Sequence, residues 1–81
     1  MSLKATLKDI TASSSRNETT YEVEITAAGA SPSFEEVREA ALAQAGLAAR
    51  QMYPRAPQWS VKHIEWVAGG QWLVTILAKP S

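Results

Sequence analysis

The chain predicts an α+β fold, a two-layer β-β-α-β-β arrangement in which an antiparallel sheet carries one helix packed on one face. Three observations predict it. Two N-terminal segments, Leu3 to Ala12 and Tyr21 to Ala27, alternate apolar with polar residues, as half-buried strands do. Ser33 to Glu36 is a helix-start signature followed by apolar residues at helical spacing. Gln58 to Val67 and Gln71 to Lys79 are β-rich runs separated only by Ala68-Gly69-Gly70. With 81 residues, the whole chain, 1–81, is expected to form a single domain.

In the first strand Leu3, Ala5 and Leu7 alternate with Lys4, Thr6 and Lys8, and Asp9-Ile10 then breaks the parity. Ser13 to Asn17 is a polar connection. In the second strand Tyr21, Val23, Ile25 and Ala27 face one way, and Glu22, Glu24 and Thr26 form a wet face. The helix opens with a capping box, in which Ser33 accepts from the Glu36 amide and Glu36 reaches back. Glu35, Glu36 and Glu39 suit the positive end of its macrodipole. Phe34, Val37, Ala41, Ala45, Ala48 and Met52 make the buried stripe, with Leu42 on its margin. The small residues in the middle predict a helix lying close to the sheet, with Phe34 and Met52 anchoring its ends. Tyr53-Pro54 and Ala56-Pro57 stop it, because proline disfavours helical geometry in the residue before it.

The hairpin holds all three tryptophans, Trp59, Trp66 and Trp72. Strict alternation puts Trp59 and Val61 on one face of the third strand and Ile64 and Trp66 on the other. In the fourth strand Trp72, Val74, Ile76 and Ala78 share a face, but Leu73 and Leu77 make the opposite face apolar too. One helix cannot cover both sides of a sheet, so Trp66, Leu73 and Leu77 are the candidate residues of an interface between subunits.

Composition supports self-association. A chain this short has a marginal core, and it has no cysteine to staple it and no zinc-ligand pattern. A homo-oligomer is therefore expected, and a different protein partner is the alternative cover for the apolar face. Eight basic residues balance eight acidic ones, which argues against nucleic acid as a partner, even with Lys4, Lys8 and Lys62 on the strands. No segment approaches the roughly 20 apolar residues of a membrane span, and no secretion signal is visible. A soluble cytoplasmic protein is expected.

No catalytic constellation emerges. His63 is the only histidine and reads as an ordinary strand residue, so no metal site is assigned. The helix-start glutamates are explained by the macrodipole, Ser13 to Ser15 lack a nucleophile elbow, and Gly69-Gly70 does not open a helix that could cradle phosphate.

From Tyr21-Glu-Val-Glu-Ile25 through Gly29-Ala-Ser31-Pro32 and Ser33-Phe34-Glu35-Glu36, then Trp59-Ser-Val61 and Trp72-Leu-Val-Thr-Ile76, the order of features resembles the dodecins. These are small flavin-storing proteins whose subunit is a strand, a helix and a long hairpin, assembled into a hollow dodecamer. The resemblance implies an oligomer, flavin as the ligand, and Trp59 as the ring on which it stacks. Three departures stand against it: an extra strand precedes Tyr21, the hairpin turn is shorter, and Leu73 occupies the place of a glutamine that contacts the flavin. Weak binding is what that loss implies.

The expected function is that of a non-catalytic small oligomeric protein, resembling dodecin in assembly, that binds a planar aromatic ligand such as flavin at Trp59. The alternative is a protein interaction module or minor structural protein with no small-molecule ligand. Absorption of the purified protein separates the two, since a yellow chromophore accompanies only the first.

Overall fold

A computed structural model describes residues 2–28, 32–51 and 53–80. It contains four strands and one helix: β1 (Ser2–Ser13), β2 (Glu18–Ala28), α1 (Phe34–Ala49), β3 (Gln58–Ala68) and β4 (Gln71–Lys79). The strands form one antiparallel sheet in the order β1-β2-β4-β3. This is the predicted β-β-α-β-β layout, with β1 and β3 outermost.

Three register shifts interrupt the pairing; one, at Val67, lies just before the hairpin turn, and the other two decide which side chains share a face along the strands. Lys8 is an extra residue in β1, between Leu7 paired to Val23 and Asp9 paired to Glu22. It moves Ile10 opposite Tyr21, back onto the side that Leu3, Ala5 and Leu7 occupy. Lys62 is the extra residue in β3, between Val61 and His63. Trp59, Val61, Ile64 and Trp66 therefore stand opposite Ala78, Ile76, Val74 and Trp72 in turn. Strict alternation places Trp59 and Trp66 on opposite faces; the bulge at Lys62 corrects this, and both lie on the helix side.

The core lies between that side and α1. Tyr21, Val23 and Ile25 of β2, Val74, Ile76 and Ala78 of β4, and Val37, Ala41, Ala45 and Ala49 of α1 are buried. Each of the aliphatic side chains larger than alanine contributes about 1.5–3 kcal/mol by leaving water. The alanine stripe presents no bulk to the sheet, and α1 packs chiefly on β1, β2 and β4. The helix-side surface of β3 is left to one side of it.

The helix starts as predicted. Ser33 Oγ accepts from the Glu36 amide at 3.2 Å, and the Ser33 amide donates to Glu36 Oε1 at 3.1 Å. Its first residue does not anchor it as predicted. Phe34 is 64% exposed and meets Trp72 edge-on, with ring centroids 5.5 Å apart, instead of inserting under the sheet. At the other end Met52 lies outside the described residues, and the helix stops at Ala49, before the prolines. The Arg50 and Gln51 amides donate to the Gly46 and Ala48 carbonyls at 3.2 Å, and the Tyr53 amide donates to Ala49 at 2.9 Å. The Gly46, Ala48 and Ala49 carbonyls are thus satisfied without a C-terminal glycine.

Gly69 (φ 56°) and Gly70 (φ 78°) form the hairpin turn, a left-handed geometry that glycine adopts without strain. Gly70 also lies against β2: its carbonyl accepts from the Ala27 amide at 2.9 Å, and a Cβ there would sit 2.9 Å from the Ala27 oxygen. No helix among the described residues is long and apolar enough to cross a membrane.

A candidate ligand groove at Trp59

Trp59 enters β3 opposite Ala78, whose small side chain leaves space for the indole above the sheet. The ring is half-buried and packs beside Tyr21, centroids 5.8 Å apart and planes tilted by 53°. Above it the chain returns from the helix to the sheet, and the connection is held by Tyr53. The Tyr53 hydroxyl lies 2.7 Å from Thr19 Oγ1 and donates to the Ala78 carbonyl at 3.3 Å. With the tyrosine proton directed at Ala78, Thr19 is the donor in the shorter bond. One phenol thus ties the connection to both β2 and β4 and satisfies the buried Thr19 hydroxyl.

Between this connection and the last helical turn is a groove of about 650 Å³. Leu47 of α1 and Arg50, its C-cap, form one wall, Pro54, Arg55 and Pro57 the other, and Trp59 lines it as well. Prolines fix φ on the loop wall and lower the entropy lost when a ligand orders it. Leu47 is exposed on the rim. Burial, and after it the nearby Tyr53 phenol, raises the Tyr21 pKa above its ordinary value, so Tyr21 stays neutral beneath the groove at physiological pH.

The other predicted residues do not join this groove. Trp66 is 62% exposed at the hairpin end, on the helix side of the sheet. Leu73 and Leu77 lie on the opposite, outer face. Leu73 is half-buried between Glu24 and Glu65, and Leu77 is 7% exposed between Thr20 and Ser60. The three interface candidates are thus divided between two faces. Leu73 and Trp59 do not share a face either. His63 is exposed on the outer face, its Nε2 3.4 Å from Glu65 Oε1. Among the described residues no three His, Asp or Glu side chains come together as a metal site.

Tyr53, Arg50, Arg55 and Leu47 are groove residues to which sequence reasoning assigned no part in a binding site. The two prolines between helix and Trp59 were the available signal, because they predict a stiff connection beside an aromatic ring. Compared with known protein families, characterised proteins and solved structures, the chain finds no match.

Proposed function

We propose that this is a non-catalytic, self-associating small protein that binds a planar aromatic ligand, flavin being the first to test, in the groove at Trp59. The observation that carries this reading is the groove itself. Its volume of about 650 Å³ lies in the range of small-molecule sites, and it combines an accessible indole with apolar walls and few polar groups. Riboflavin titration tests it. Stacking on Trp59 quenches flavin emission in the parent protein, and Trp59→Ala abolishes the quenching. Absence of quenching at high micromolar flavin would count against flavin as the ligand.

Self-association, and with it any likeness to dodecin in assembly, is supported by the apolar strip that α1 leaves uncovered on β3, running from half-buried Ile64 to Trp66. Size exclusion with light scattering at micromolar concentration tests it directly. A second reading, an interaction module for another protein, is favoured by the exposure of Phe34, Trp66 and Val67 at the hairpin end, remote from the groove. A colourless protein that stays monomeric and captures a partner through Trp66 would select that reading.

A further inference from the structure

We infer that the groove at Trp59 is selective for an anionic ligand, a small planar aromatic molecule carrying a carboxylate, sulfonate or phosphate. The inference rests on the ligand-binding reading above and adds the charge of the ligand to it. Among the described residues, the charged ones lining the groove are Arg50 and Arg55, and no acidic residue lines it. Neither arginine has a carboxylate within 4.0 Å among the described residues, which is equally so of Lys4, Arg38 and Lys62, but only these two line the groove. The eight acids lie outside the lining: Glu18, at the groove end of the sheet, is held by Arg16 and Lys79, Glu35, Glu36 and Glu39 are on α1, and Asp9, Glu22, Glu24 and Glu65 are on the outer face. A chain with formal net charge +0 therefore places two guanidinium groups, without an ion-pair partner among the described residues, around one aromatic surface.

Arg50 has a structural explanation, since a cation at a helix C-terminus is favoured by the macrodipole. Arg55 has none, because it lies in the connection beyond Pro54 and outside the last helical turn. A guanidinium matches an oxyanion with two parallel N–H donors and also stacks on aromatic planes, so the pair suits a ring with an acidic substituent better than a neutral ring.

Two dyes with one aromatic skeleton test this, 8-anilinonaphthalene-1-sulfonate and the uncharged N-phenyl-1-naphthylamine, by fluorescence titration of the full chain. The sulfonate is expected to bind about tenfold more tightly, through two charge-assisted contacts. R50Q/R55Q, with folding checked by thermal melts, is expected to remove that preference by weakening the sulfonate about tenfold more than the uncharged dye. About 0.5 M NaCl should erode the same preference through screening. If both dyes bind equally, and both lose binding in Trp59→Ala, the charge selectivity is overturned and the groove stands. If neither dye binds, or if Trp59→Ala changes nothing and Trp66→Ser abolishes the signal, the groove reading falls and the selectivity with it.

Discussion

The two ends of the helix-side surface each carry an aromatic group, and they are built on different terms. At the groove end Tyr21 is fully buried, Trp59 is packed beside it, and the Tyr53 hydroxyl is bonded to both Thr19 and Ala78. At the hairpin end Phe34 and Trp66 are exposed, and the buried indole N–H of Trp72 has no hydrogen-bond partner among the described residues. A polar group bonded in place fixes its neighbours, and that permanence is what a preformed ligand groove requires. An aromatic cluster that is half-covered and polar-unsatisfied contributes less to folding and offers surface to another molecule.

The largest expected effect tests this contrast directly. Trp59→Ala should cost about 2 kcal/mol in chemical denaturation, less than for a fully buried tryptophan because the ring is half-exposed, while Trp66→Ser should stay within about 0.5 kcal/mol of the parent. Equal losses would mean the two ends are equally part of the core. Next, Tyr53→Phe should cost about 1–2 kcal/mol, because it removes two hydrogen bonds and leaves Thr19 unsatisfied. A smaller loss would show that the connection is held by its prolines and not by the phenol. Ser33→Ala, at the hairpin end, should cost about 1 kcal/mol through loss of the cap and lower the denaturation midpoint accordingly. An unchanged midpoint would assign the helix start to the Phe34–Trp72 contact.

The smallest effect is absent near neutrality and confined to the groove end. Tyr21 holds its proton to higher pH when folded than when unfolded, where it titrates near 10.0. Its contribution to stability is therefore complete below that value and is lost as pH rises through the raised folded pKa. Denaturation midpoints measured upward from pH 9 should fall, and Tyr21→Phe should flatten that fall relative to its own value at neutral pH.

Much of the fold was readable because alternation and capping are local. The period of β2, the Ser33 and Glu36 pair and the Gly69-Gly70 turn each depend on neighbours in the chain, and each appears where expected. The faces of β3 were not readable, since one inserted residue inverts every assignment after it and nothing in the composition of Val61-Lys62-His63 announces the insertion. In β1 the same device did leave a trace, because Ile10 falls out of phase. Of the groove, only Trp59 was visible. The arginines and Tyr53 reach it through a connection whose path depends on the Thr19 and Ala78 bonds, which are long-range and have no sequence period.

Lys8 and Lys62 share one property that reaches beyond side-chain parity: each bulge falls on a strand at a rim of the sheet, and each places a lysine there. A rim strand exposes unpaired amides and carbonyls that template further strands, and a kinked, cationic rim is a poor template. Both rims of this sheet are blunted in that way, despite the high β content and the bare tryptophan. The chain is therefore expected to remain dispersed at concentrations where a flat-rimmed sheet of this composition would grow into fibres. Substituting valine at Lys8 and Lys62 together, followed by thioflavin fluorescence on prolonged incubation, would reveal how much of that resistance the two positions supply.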